Sequence, residues 1–170
     1  CAVEMAAKMA LHAQQLRGNP QRTNFLALQH SYHGETALAL SLSDEGRFRT
    51  PYEAVLHQYP FIENIPYVHS RQDPLWTDCS TIWPEIEAQL TPLAAELCAI
   101  IVEPSVQGAG GMRIYSQDFL HRLATWAKAN DIYLIADEIM TGLGRTGKML
   151  ACDHANIQPD FLCLSKSLTS

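Results

Sequence analysis

Lys166 stands at the end of a short apolar run, Phe161-Leu162-Cys163-Leu164, with only Ser165 between them. A lysine so placed is rarely there for solubility. Desolvation and a nearby cationic group would lower its pKa and free the neutral amine for Schiff base chemistry. A second apolar run, Ile132-Tyr133-Leu134-Ile135-Ala136, ends on Asp137 and Glu138. Two such runs read as buried strands that present charged groups at their carboxyl ends. That is the edge at which open α/β sheets bind ligands. An acid at one strand end and a lysine at the next form the pair that pyridoxal 5'-phosphate chemistry needs. The lysine holds the aldehyde, and the carboxylate keeps the pyridine nitrogen protonated.

Two further strand ends carry candidate groups. Leu97 to Val102 is a strong buried strand that ends on Glu103-Pro104, and a buried carboxylate there needs donors from a neighbouring loop. Asn24 to His30 reads as a strand followed by the turn Ser31-Tyr32-His33-Gly34. A tyrosine at that edge can stack on a flat ring, and Gly34 would allow close approach. Between the two charged runs lies Gly142-Leu-Gly144-Arg-Thr-Gly147-Lys148, which matches a dinucleotide fingerprint by letter and most of a P-loop. The context disagrees with both. Asp137 to Thr141 separate the glycines from the strand, Met149 stands where a P-loop needs Ser or Thr, and the order of the acidic and glycine motifs is reversed. A nucleotide-binding protein using Gly142 to Lys148 is therefore the rival from another class. The glycines fit better as a tight loop passing close to a ligand. No histidine or cysteine spacing suits a metal, Cys152-Asp153-His154 included.

The elements that position these groups follow from periodicity. Cys1 to Arg17 is helical, with Ala2, Met5, Ala6, Met9, Ala13 and Leu16 on one face, and Gly18-Asn19-Pro20 as its stop. A short helix runs from Glu35 to Ser43, and Asp44 to Pro60 is irregular with one helical turn near Tyr52 to Val55. Pro66 to His69 reads as a weak strand, and Thr81 to Thr91 as a helix capped near Asp78 or Ser80. Ser105 to Tyr115 is loop, and Ser116 caps a helix over Gln117 to Asn130 with Phe119, Leu120, Leu123, Ala124 and Ala127 inward. Alternating strands and helices argue α/β, with mostly parallel strands and right-handed crossovers.

Composition narrows the partners. The 170 residues are 47% hydrophobic and 18% charged, which suits a globular domain with a core. The net charge of −6 and the lack of a basic patch argue against nucleic acid or an anionic membrane. Apolar runs are too short to span a bilayer. Five scattered cysteines without a C-x-x-C read as free thiols in a reducing cytosol, hence a cytoplasmic protein. Residue 1 falls inside a helical pattern with no cap before it, and the chain stops just after Lys166. The expectation is one domain, 1–170, that is part of a longer chain.

Tyr32-His33-Gly34, Ile101-Val102-Glu103-Pro104, Leu134-Ile135-Ala136-Asp137-Glu138-Ile139, Thr141 to Gly147 and Ser165-Lys166 occur together in order. By these five blocks the chain resembles the class III aminotransferases of PLP fold type I, over essentially its whole length. The resemblance implies the central part of the PLP-binding large domain, a mostly parallel sheet with helices on both faces. It implies that Lys166 carries pyridoxal 5'-phosphate and moves the proton, that Asp137 pairs with the pyridinium nitrogen, and that Tyr32 and Ile139 pack on the two ring faces. Glu103 would support the cofactor; Tyr32 and Arg145 would line the substrate side. Through Val106-Gln107-Gly108-Ala109-Gly110-Gly111-Met112 and Ala151 to Ala155 the resemblance further implies amino transfer from S-adenosylmethionine to 8-amino-7-oxononanoate, in biotin biosynthesis, with the full-length enzyme a homodimer. A related activity on ornithine, 4-aminobutyrate or a diamine is the neighbouring possibility. Glu35 stands where many members have aspartate. The phosphate-cradling Gly-Ser pair, the small domain with its carboxylate-binding arginine and the threonine offered to a neighbouring subunit would all lie outside 1–170, so these residues alone should bind the cofactor poorly.

Overall fold

The computed structural model describes residues 1–168. In chain order the helices are α1 (Ala2–Leu16), α2 (Ala37–Ser41), α3 (Gly46–Arg49), α4 (Trp83–Leu90) and α5 (Gln117–Ala129). The strands are β1 (Asn24–Leu28), β2 (Phe61–Ile62), β3 (Leu97–Val102), β4 (Val106–Gln107), β5 (Arg113–Ile114), β6 (Tyr133–Asp137) and β7 (Phe161–Cys163). Five strands form one sheet in the order β2-β1-β3-β6-β7, and every pairing in it is parallel. From β1 the chain steps outward to β2, then returns across β1 to β3 and continues through β6 to β7. The strand order therefore reverses between β1 and β3, where the carboxyl ends open a crevice.

Parallel strands are buried on both faces, and alternation divides their side chains between two cores. Leu26, Leu28, Ile100, Val102, Leu134 and Ala136 face α4 and α5, against Ile86, Leu90, Phe119, Leu120 and Leu123. Phe25, Ala27, Cys98, Ala99, Ile101, Ile135 and Cys163 face α1 and α2. Each large aliphatic side chain so buried contributes about 1.5–3 kcal/mol. Ser116 caps α5 as its sequence predicts, its hydroxyl accepting from Phe119 N at 3.1 Å.

Helix α1 turns a different face to the sheet from the one its periodicity predicts. Val3, Ala6, Ala7, Ala10 and Gln14 are buried, whereas Met5, Met9 and Leu16 are exposed. Small side chains let the helix axis approach the sheet, and Gln14 Nε2 donates to Cys98 O of β3 at 3.4 Å and to Asp131 O, just before β6, at 2.9 Å. The thioethers and Leu16 would hold it off.

Other departures are local. The expected strand at Pro66 to His69 is only an isolated bridge, Tyr67 to Tyr115, and the edge strand is Phe61–Ile62 instead. Asp44 to Pro60 holds more helix than one turn, with α3 followed by a 3-10 segment over Thr50–Val55. Helix α4 starts later than expected, with Ile82 as its N-cap and no side-chain cap. Pro84, which lacks an N–H to satisfy, sits in its first turn. Ser105 to Tyr115 is not simply loop, because β4 and β5 pair in it as a two-stranded antiparallel ribbon.

That ribbon turns through Gly110, where an added Cβ would lie 2.0 Å from the carbonyl oxygen of His30. Backbone cannot yield as a flexible side chain does. Gly110→Ala is therefore expected to destabilise the full-length protein by about 1–3 kcal/mol, read as a lower urea midpoint with unchanged slope.

Candidate active site

The carboxyl edge of the sheet gathers the predicted residues from four strands. Tyr32 and His33 follow β1, Glu103 follows β3, Asp137 ends β6, and Lys166 lies beyond β7. Asp137 is in register with Cys163 on the adjacent parallel strand, three positions before Lys166. The acid and the lysine thus occupy neighbouring strand ends, as the sequence predicts.

Asp137 is buried, and its carboxylate is held from both oxygens. Oδ2 lies 2.8 Å from His33 Nδ1, and Oδ1 accepts from Ile139 N at 3.2 Å. His33 is itself enclosed, and among the described residues its Nε2 has no partner. A carboxylate offers about four lone-pair positions, so Asp137 retains room for one more donor. His33 was not singled out as a site residue by sequence reasoning, although Tyr32-His33-Gly34 was. The signal available was its place at a strand's carboxyl end, one residue from an aromatic. Removing one partner of a buried pair leaves the other uncompensated. His33→Leu should cost about 3 kcal/mol of stability, checked by chemical denaturation.

Glu103 is buried and accepts from Tyr32 N and from Gly108 N, each at 3.1 Å. The donors its burial demanded come from the turn after β1 and from the ribbon. Burial pushes its carboxyl above the usual range; His33 and the two N–H groups pull it down, and Asp137 pushes it up. Glu103 thereby links the ends of β1 and β3 across the crevice.

Tyr32 is half-buried. Its ring packs on Phe48 at 4.6 Å between centroids, tilted by 44°, and its hydroxyl donates to Glu35 Oε1 at 2.5 Å. Burial and then the Glu35 carboxylate push the phenol up to about 12, so it stays protonated as a donor at neutral pH. Ile139 is partly buried against the α1-side core.

Lys166 is exposed, so the desolvation that its apolar run suggested is not present in residues 1–168. Among the described residues β7 is the last strand of the sheet, and the 3-10 turn Lys166–Leu168 follows it. Its backbone is left-handed, with φ 47°, a conformation that costs a side-chain-bearing residue roughly 1–2 kcal/mol. Strain of this kind gathers at functional sites.

The glycine-rich turn is built by internal contacts and not by a phosphate cradle. An added Cβ on Gly142 would meet Glu138 O and Leu164 Cδ2, each at 2.9 Å, whereas Gly144 and Gly147 serve positive φ. Lys148 Nζ donates to Asp153 O at 2.8 Å, and His154 Nε2 lies 3.1 Å from Thr146 O. The turn carries Arg145 to Ser167, with Arg145 Nη2 3.4 Å from the Ser167 hydroxyl. Arg145 thus reaches the residue that follows Lys166. All five cysteines are free, four of them buried. Among the described residues there is no metal-binding group of His, Cys, Asp or Glu, and no helix long and apolar enough to cross a membrane.

The family model for class III aminotransferases matches residues 1–170. The chain belongs to the class III aminotransferases. An adenosylmethionine-8-amino-7-oxononanoate aminotransferase of Synechococcus elongatus is 41% identical over 173 residues, covering 99% of this chain and 39% of the relative. That of Helicobacter pylori is 39% identical, covering 98% and 37%. Among solved structures, the enzyme of that name from Methanocaldococcus jannaschii superposes with TM-score 0.79 at 32% identity, over 96% of this chain and 35% of the other. A PLP-bound amine transaminase from an uncultivated Pseudomonas species gives TM-score 0.82 at 32% identity, over 96% and 37%. The chain spans about two fifths of the length of the curated relatives it matches. As a class III aminotransferase chain it has the α/β fold of these transaminases, with the parallel sheet and covering helices that its sequence predicts.

Proposed function

We propose that the protein carrying this chain is a pyridoxal 5'-phosphate-dependent aminotransferase. Its amino donor is S-adenosylmethionine and its acceptor 8-amino-7-oxononanoate, giving 7,8-diaminononanoate for biotin. The observation that carries the reading is the placement of buried Asp137 and exposed Lys166 at the carboxyl ends of adjacent parallel strands. The substrate pair is supported by the shared name of relatives 33–41% identical over nearly the whole chain.

The residues present fit the cofactor. Asp137 has spare acceptor capacity at the foot of the crevice, and the Lys166 side chain is exposed. Pyridoxal phosphate, when bound, supplies an aldehyde for the incoming amine and an electron sink for the carbon that loses its proton. The chain supplies the rest. Lys166 Nζ anchors the cofactor and carries the proton to and from the substrate carbon. Asp137 holds a proton on the pyridine nitrogen, and His33 fixes the orientation of its carboxylate. Tyr32 and Ile139 confine the ring, Glu103 holds the loops around it, and Arg145 meets the polar end of the substrate. The full-length protein acts as a homodimer in the cytoplasm, a setting in which free cysteines persist.

The test is a donor and acceptor panel with the full-length protein. Conversion of 8-amino-7-oxononanoate with S-adenosylmethionine, at a kcat/KM at least about tenfold above ornithine, 4-aminobutyrate or diamines, is the expected result. Preference for any of those donors would overturn the substrate assignment while leaving the cofactor chemistry intact.

A further inference from the structure

We infer that Glu138 is a positioning residue that clamps the glycine-rich turn, and through it sets where Arg145 stands. Asp137 and Glu138 are adjacent and both buried, yet they serve different places. The Glu138 carboxylate accepts from Ala151 N at 2.7 Å through Oε2 and from Cys152 N at 2.8 Å through Oε1. Those two N–H groups belong to the segment at which the turn ends. Glu138 O accepts from Gly142 N at 3.0 Å, where the turn begins. Glu138 N donates to Cys163 O at 3.0 Å, on the strand that leads to Lys166. One residue therefore ties both ends of the turn to the strand beside it. Inside the turn, Gly144 N donates to Met149 O at 3.2 Å and Gly147 N to Gly144 O at 3.0 Å. Arg145 then reaches Ser167 at 3.4 Å. At 1% exposure the Glu138 side chain can touch neither cofactor nor substrate, so its effect passes through the turn.

The inference rests on the proposed substrate-side role of Arg145, and the test separates the two. In Glu138→Gln an amide NH2 faces one of the two N–H donors, so one bond of the clamp is lost. In the full-length protein this should raise the KM for the acceptor about tenfold with kcat within about threefold. Hydrogen exchange at Ala151 and Cys152 should accelerate about tenfold or more, while Leu97 to Val102 stays protected. Glu138→Asp keeps a carboxylate and should recover part of both effects. Unchanged exchange at Ala151 and Cys152 would overturn the clamp. So would equal acceleration through the sheet, or a fall in kcat at constant KM. Arg145→Ala is the control. If it leaves KM unchanged, the role given to Arg145 fails, and exchange at the turn alone decides on Glu138.

Discussion

Lys166→Ala is expected to reduce transamination by the full-length protein at least about 10³-fold, because the variant loses both the anchoring amine and the proton carrier. The loss should fall on kcat, with stability hardly changed. Among the described residues Lys166 is exposed and belongs to neither hydrophobic core, so removing its side chain opens no cavity there. Releasing it from a side chain in the left-handed region offers no gain either, since alanine meets the same backbone cost at φ 47°. Single-turnover measurements, in which each substrate is mixed with enzyme in excess, would isolate the chemical step. A variant retaining a tenth of the parent rate would contradict the assignment.

Asp137→Asn should cost about 10²–10³-fold in turnover, and for a different reason. Asparagine keeps the shape, so the bonds to His33 and Ile139 can largely be reproduced. What it cannot supply is the negative charge that holds a proton on the pyridine nitrogen. Electrostatic stabilisation from a buried, preoriented group is worth most where water is excluded, and Asp137 is 5% exposed. The variant should fold and still attach cofactor through Lys166, but turn over slowly with every donor. A change in donor preference without a loss of rate would show that Asp137 reads substrate instead.

The contrast between these two residues reflects what sequence can carry. Apolar runs of five or six residues ending on a charge specify buried parallel strands, so β3 and β6 and the groups at their ends were legible. Leu97 to Val102 matches its strand to the residue. Ser116 was legible as a cap because its hydroxyl acts within one turn. The face of α1 was not legible, since hydrophobicity favoured Met5 and Met9 over alanines whose advantage is their small size against a sheet. Nor was β2, because two residues have no periodicity and its pairing with β1 is set by the long segment that precedes it.

Within the site, strand-end positions were readable and side-chain partners were not. His33 reaches Asp137 across 104 positions of sequence, and Glu103 collects N–H groups from two separate loops. Such contacts depend on the sheet order, which periodicity leaves open. The burial expected for Lys166 rests on the run before it, whereas among the described residues its side chain is exposed. The glycines of 142–147 read as room for a ligand, yet Gly142 is needed because Glu138 O and Leu164 come within 2.9 Å of where its Cβ would be.

The most direct measurement is borohydride reduction of the full-length protein equilibrated with pyridoxal 5'-phosphate, followed by peptide mapping. The account predicts one stable adduct, on the peptide containing Lys166, absent from Lys166→Ala and still formed in Asp137→Asn. An adduct on Lys148 or another lysine in the folded protein, with none on Lys166, would contradict it.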